Sequence, residues 1–352
     1  MSDPPATLSS VRVGIVGPLL GVNPGWVTTQ GEVLAEHLAA DGVAVRTTSG
    51  VVPRLRRAWD VARTVRSWRD EVDVVVVLGF SGPALALTEL GVRSARRLGV
   101  PVVLWLHGGD LPDHAARRPR RVRRVLAAAD RLVAPSPYLA RLGALVGEPV
   151  EVIPNVLPTP ADPRLRATAR PRLLWMRTFH PLYRPELAVD AFARVRAAVP
   201  AATLTMAGQD KGGVEAARRA VADAGLGDAV HFPGFLDPAA KAEAFADHDV
   251  FLNTTRTDNA PVSLLEAAAH GLVVVSTPAG GITELFHDGD DALLAPDAPG
   301  LAAAVGRVLG DDGLAARLSA GGLALARTAE WGEVGPRWRR LLSELAEVQD
   351  PA

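Results

Sequence analysis

An α/β protein with two doubly wound parallel sheets is the fold class this sequence predicts, and three observations predict it. Short apolar runs of strand type alternate with segments of helical apolar spacing along nearly the whole chain. Several runs end in glycine turns that lead into a helix, as at Gly17–Gly25, Gly79–Pro83 and Gly280–Gly281. A stretch rich in Pro, Arg and Ala breaks the alternation at 159–171, a new alternation follows it, and 352 residues suffice for two domains of ordinary size.

The first half reads as follows. Val11–Val16 is a strand, and Gly17–Gly25 a glycine and proline loop. Thr29-Gln-Gly-Glu32 has the form of a capping box, opening a helix on Val33, Leu34 and Leu38. Val43–Thr47 is the next strand. Arg54–Arg69 is a basic helix carrying Trp59 and Trp68. Val72–Leu78, with its run of valines from Val74 to Val77, predicts a strand buried on both faces. Val100–Leu106 is a strand ending in His107-Gly-Gly-Asp110. Arg117–Ala129 reads as a second basic helix, Arg131–Pro135 and Val150–Pro154 as further strands.

The second half restarts with strand Arg172–Met176 and helix Glu186–Val199. Leu204–Ala207, Val230–Phe232 and Phe251–Thr254 are strands, with helices Val214–Ala224 and Ala239–Ala246 between them. Thr255–Pro261 is a polar loop. Ser263-Leu-Leu-Glu266 has the form of a capping box opening a helix through Ala269, which Gly271 stops. Leu272–Ser276 is a buried-type strand, Ala279–Thr283 a glycine turn with Thr283 as cap, and Leu301–Leu309, Gly313–Thr328 and Trp331–Val348 are late helices. The domains predicted are 1–158, a linker 159–171, 172–330, and a last helix 331–352 returning to the first domain with Trp331 and Trp338 as anchors.

Composition narrows the class. Cysteine is absent, excluding disulfides and thiolate metal sites and fitting a reducing cytoplasm. MSDPPATLSS lacks a signal pattern, and no apolar run is long enough to span a bilayer. Charge is uneven: through Pro158 there are 19 arginines against 14 acids, and beyond it 19 basic residues against 25 acids. No aromatic-interleaved basic motif points to nucleic acid.

The stretch 251–289 and its companions resemble the family-4 retaining glycosyltransferases with the GT-B fold, which has two Rossmann-like domains facing each other across a cleft. The quoted pieces are Gly17–Thr29, His107–Asp110, Ile153-Pro-Asn155, Arg177, Ala207-Gly-Gln-Asp210, Phe232-Pro-Gly234, Glu266-Ala-Ala-Ala-His-Gly271 and Gly280-Gly-Ile-Thr-Glu-Leu-Phe-His-Asp-Gly289. That family usually has two glutamates separated by seven other residues; here Glu266 is the second, and the first position holds Asp258. The resemblance implies sugar transfer from a nucleotide-sugar donor, UDP- or GDP-linked, to an acceptor hydroxyl, with no metal and no cofactor.

By the same resemblance, His107, Arg177 and Asp258 would act at the reacting centre, Arg177 on the diphosphate and the other two on the sugar. Gly25 and Trp26 belong to the glycine loop, Phe235 and Leu236 face the base, and Asn259, Ala260, Pro261, Val262, Ser263 and Leu264 line the sugar and phosphate. Glu266 would accept the ribose hydroxyls; the competing reading makes it the capping partner of Ser263. The family's lysine beyond the arginine is missing, and Arg184 would replace it. Asp288-Gly-Asp-Asp291 mimics a metal motif but falls in a turn. His107, Asp110, Asp113 and His114 lack a fixed face for a metal. Arg54–Arg69 and Arg117–Arg124 are solvated helix faces or an anionic-lipid surface, the latter implying a peripheral membrane position and a lipid-linked or small-molecule glycan acceptor. The other readings are an epimerase or hydrolase of the same fold and an inactive sugar-nucleotide-binding protein.

Overall fold

The computed structural model describes residues 11–347; the stretch 1–10 and residues 348–352, with Val348 of the last helix, lie outside them. The chain divides into two compact units, Met1–Val156 with Trp331–Ala352, and Leu157–Glu330.

Unit 1 carries β1 (Arg12–Val16), α1 (Gln30–Ala40), β2 (Ala44–Thr48), α2 (Arg54–Ser67), β3 (Val74–Gly79), α3 (Leu85–Arg96), β4 (Val102–Leu106), α4 (Leu111–Arg117), α5 (Pro119–Leu126), β5 (Arg131–Ala134), α6 (Pro137–Ala140) and β6 (Val150–Val152). The six strands are parallel in the order β2-β1-β3-β4-β5-β6. β3 pairs with β1 and β4 and is buried at every position, which is why its valines run without alternation. The Glu32 carboxylate accepts the Thr29 N–H at 2.6 Å and the Thr29 hydroxyl at 2.8 Å, and also the Val22 N–H at 3.1 Å. One side chain thereby closes the start of α1 and ties down the glycine loop. The basic segment read as one helix is two: Pro119 has no N–H to donate, and Arg118 before it leaves the helical region at φ −137°.

Unit 2 carries β7 (Arg172–Met176), α7 (Pro185–Ala198), β8 (Thr203–Ala207), α8 (Val214–Asp223), β9 (Val230–Gly234), α9 (Pro238–Asp247), β10 (Val250–Asn253), α10 (Val262–Ala269), β11 (Val273–Ser276), α11 (Ile282–Leu285), β12 (Ala292–Leu294), α12 (Ala298–Gly310) and α13 (Asp312–Arg327). Its parallel order is β12-β11-β10-β7-β8-β9. Separate apolar clusters cover the two sheet faces, one around Trp175 and Phe192, the other around Phe251 and Leu264. Thr283 lies inside α11, whose cap position is Gly281, so it does not cap that helix.

The last helix, α14 (Trp331–Glu347), belongs to unit 1. Trp338 is fully buried and meets Trp105 edge-on at 4.8 Å. Trp331 stacks on His37 at 4.8 Å and donates its indole N–H to Asp41 at 3.1 Å.

Residues 159–171, read from composition as the interdomain linker, fall within unit 2 and are pinned there by ion pairs. Arg164, Arg166 and Arg170 all pair with Asp249, at 3.3 Å for Arg166 and 2.8 Å for Arg170. Arg166 and Asp249 are each 1% exposed. The Arg166 guanidinium also donates to the carbonyls of Phe245 and His248 at 2.6 Å, and to those of Arg164 and His270. A buried arginine thus finds an acceptor on every side.

Candidate active site

The order of the second sheet reverses direction between β7 and β10. In an open parallel sheet the crevice at the carboxyl ends of two such strands is where ligands bind, because the connections leave the sheet on opposite faces there. Arg177 follows β7 directly, and Thr254–Thr255 follow β10. Two glycines let the chain close in around these ends. A Cβ on Gly208, at φ +144°, would sit 1.9 Å from the Arg177 carbonyl oxygen. A Cβ on Gly280, at φ +62°, would sit 2.1 Å from that of Asp258. Only glycine suits positions that combine positive φ with so close a backbone approach.

Arg177 is the centre of the arrangement. Its Nη2 meets Asp258 Oδ2 at 2.5 Å, its Nη1 donates to the Ser263 hydroxyl, and its guanidinium lies 4.2 Å from the Tyr183 ring centroid. Burial opposes its charge, but Asp258 and Tyr183 outweigh burial and hold its pKa above the ordinary arginine value. The arginine is therefore a fixed cation, 9% exposed, at a strand end. Beside it, the Val262 and Ser263 N–H groups in the first turn of α10 find no acceptor among the described residues. A guanidinium and free helix-end amides together suit a phosphate group.

The capping box read from Ser263-Leu-Leu-Glu266 does not form. Pro261 occupies the cap position, α10 begins at Val262, and no side chain caps it. Ser263 therefore lies inside the helix, where its hydroxyl serves Arg177. Glu266, one turn further, pairs instead with Lys241 of α9, at 2.5 Å from Nζ to Oε1. The competition between cap and ligand for this carboxylate is thereby removed.

Arg184 has hydrogen-bond partners other than those of Arg177. Its Nε and Nη2 donate to the carbonyls of Thr254 and Thr255 at 2.9 and 3.0 Å, from a left-handed backbone at φ 46°. It clasps the strand end that leads to Asp258. Thr254 reinforces the clasp, accepting the Trp175 indole N–H at 3.0 Å and donating to the Tyr183 carbonyl at 2.8 Å. Asn259, Ala260, Pro261 and Leu264 follow in the loop and first turn of α10, and all four are buried. Phe235 and Leu236 occupy the turn between β9 and α9, with Phe235 39% exposed.

His107, Gly25 and Trp26 belong to unit 1. His107 follows β4, its ring tilted on Trp105 at 4.2 Å and stacked on Phe80 at 5.6 Å. Its Nε2 is buried with no partner among the described residues, and burial pushes its pKa down to about 3. The imidazole is neutral at physiological pH. Asp288 and Asp291 are turn groups: they accept the N–H of Leu294 and of His287, each at 2.8 Å.

Sequence reasoning missed two residues of this cluster. Tyr183 is one of two tyrosines and Lys241 one of two lysines in the chain. Their rarity was the only local signal.

Two Rossmann-like units with this strand-end arginine and acid cluster define a GT-B glycosyltransferase scaffold. The Glycosyltransferase Family 4 model matches residues 20–159 and the Glycosyl transferases group 1 model residues 170–311, so the chain belongs to the family-4, group 1 glycosyltransferases. The D-inositol 3-phosphate glycosyltransferase of Acidothermus cellulolyticus is 32% identical over 281 residues, 69% of this chain and 62% of that protein. The enzyme of the same name from a Nocardioides strain is 27% identical over 74% of this chain and 66% of that protein. The alignments thus span a little under two thirds of these curated relatives. Among solved structures, sucrose-phosphate synthase from Thermosynechococcus elongatus superposes with a TM-score of 0.76 at 19% identity, covering 96% of this chain and 100% of that one. Anabaena HepE in complex with UDP-glucose does so at 0.72 and 18% identity, again covering 96% and 100%.

Proposed function

We propose that this chain is a retaining glycosyltransferase that moves a sugar from a nucleotide-sugar donor, UDP- before GDP-linked, to an acceptor hydroxyl. The observation that carries the reading is Arg177, held charged at the end of β7 beside the unpartnered first-turn amides of α10. Those groups would receive the donor diphosphate, and Glu266 the ribose. HepE, whose solved complexes hold UDP and UDP-glucose, favours uridine as the base. As the bond from the anomeric carbon to the diphosphate oxygen breaks, the negative charge grows on that oxygen, where Arg177 stabilises it. The same oxygen takes the proton of the acceptor hydroxyl, which bonds to the anomeric carbon on the face the diphosphate leaves. The charge is met by arginine and amides, so the reaction needs no metal. The reading is tested with labelled UDP- and GDP-sugars, with and without an acceptor lysate. Transfer with retained anomeric configuration, unchanged by a chelator, is expected. Release of free sugar or isomer without acceptor would favour an epimerase or hydrolase, and activity restored only by magnesium or manganese would remove the metal-free mechanism.

A specific surface favours a membrane-bound acceptor, with the chain on the cytoplasmic face. On α2, Leu55 is 87% and Trp59 63% exposed, with Val22 and Val52 exposed nearby on the adjoining loops. Arg54, Arg56, Arg63, Arg66 and Arg69 flank them, and Arg63 lies 5.2 Å from the Trp59 ring centroid. Apolar tips ringed by arginine match an anionic lipid interface. By contrast, Arg117 and Arg121 of the second cluster are paired with Asp110 and Glu89. No helix among the described residues is long and apolar enough to cross a membrane. Cosedimentation with phosphatidylglycerol vesicles should be lost on a Leu55→Ser, Trp59→Ser exchange and should be absent with phosphatidylcholine alone; equal binding by both proteins would remove this surface from the reading.

A further inference from the structure

We infer that Lys241 is the positioning residue of the nucleoside end of the site, holding the Glu266 carboxylate in one orientation so that it selects ribonucleotides. The inference rests on the reading of Glu266 as the ribose acceptor and deepens it.

Glu266 projects from the second turn of α10, past the first-turn amides, so no backbone donor of the helix end reaches it. Its side chain is 17% exposed, and among the described residues its ion-pair partner is the Lys241 ammonium. That contact engages Oε1 at 2.5 Å. A carboxylate has about four acceptor sites on two oxygens, so the ion pair leaves Oε2 and the second lone pair of Oε1 for a pair of vicinal hydroxyls. Without the lysine, the carboxylate would swing about its last torsions, and its orientation would have to be fixed at the cost of binding affinity.

Lys241 itself is held from below. It stands in the first turn of α9, a helix whose start is fixed by Pro238 and by Asp237 accepting the Ala240 N–H at 2.9 Å. The same turn follows Phe235 and Leu236 directly. One short segment, 235–241, thus carries both the groups expected at the base and the cation that orients the ribose acceptor. The lysine is 34% exposed, so the pair adds little to folding.

The test is calorimetric titration of UDP, GDP and ADP, each beside its 2′,3′-dideoxy counterpart, into wild type, Lys241→Met, Lys241→Arg and Glu266→Gln. Melting curves for all four proteins check the fold, and the nucleotide that wild type binds best is followed. Lys241→Met should weaken the ribonucleotide about tenfold, the size of one charge-assisted hydrogen bond. It should leave the dideoxy nucleotide unchanged. Lys241→Arg should recover most of the loss. Glu266→Gln should erase the preference for ribose. If Lys241→Met binds the ribonucleotide as well as or better than wild type while Glu266→Gln loses the preference, the inference is overturned and the ribose reading stands. If Glu266→Gln keeps the full preference, or no nucleotide binds, the ribose reading itself is overturned, and the inference with it.

Discussion

Arg177→Ala should lower turnover by about 10² to 10³, the range for losing one strong donor to a developing oxyanion. The arginine is placed for a transition-state role by its surroundings. Tyr183, Asp258 and Ser263 fix its plane, so it does not reorganise when charge builds on the leaving oxygen. Charge on the diphosphate is larger in the transition state than in the bound donor, so the effect should fall on kcat more than on donor affinity. Lysine at this position keeps the charge but not the planar fork that reaches Asp258 and Ser263 at once, so Arg177→Lys should recover only part of the rate. A donor with a better leaving group should depend on Arg177 less. The variant also leaves Asp258, 18% exposed on its side chain, without its cation, so a melting curve belongs beside the kinetics. A change in the Michaelis constant alone, or a rate within a few-fold of wild type, would show that Arg177 only positions the donor.

The parts of this molecule that were legible in the sequence are those whose cause is local. A continuous valine run, a glycine after a strand, or a Thr-x-x-Glu before an apolar face acts over a few residues, and β3, the strand-end turns and the start of α1 lie where those patterns put them. The alternation of such elements is enough to imply two parallel sheets. What was not legible depends on partners far apart in the chain. Ser263 and Glu266 have the spacing of a capping box, yet Pro261 takes the cap position and their side chains are drawn to Arg177 and Lys241, 86 and 25 residues away. Arg184 looks from sequence like a spare cation near a phosphate, but two carbonyls 70 and 71 residues on claim it. The ion pairs of the linker 159–171 were hidden for the same reason: its arginines have their acceptor about 80 residues later, at Asp249. Local pattern fixes the elements, while long-range charge pairing decides what a given arginine or glutamate does.

Asp249→Asn should destabilise the protein by about 3 kcal/mol, the low end for breaking a buried charge network, since Arg164 and Arg170 are partly solvated. Asparagine keeps the shape but removes the charge that three guanidinium groups share. Arg166, 1% exposed, then stays buried with carbonyl partners only. For a unit of this size the melting temperature should drop by about 10 °C. The dependence on pH has a defined sign. Burial pushes the Asp249 carboxyl up, but Arg170 and Arg164 more than reverse it and hold it well below the ordinary aspartate value of 3.8. Its contribution is therefore complete above that value and is lost as pH falls through the lower folded value. The gap between wild type and Asp249→Asn should stay constant near neutrality and narrow only below about pH 4. The loss should also reach the candidate site. Arg166 donates to the carbonyl of His270, the residue that ends α10, and the first turns of that helix carry Ser263 and Glu266. Nucleotide affinity should fall in Asp249→Asn even at temperatures where the protein is fully folded. A variant that melts within 2 °C of wild type by roughly the same scaling would mean that the three arginines are satisfied by carbonyls and water, and that the network does not hold α10 in place.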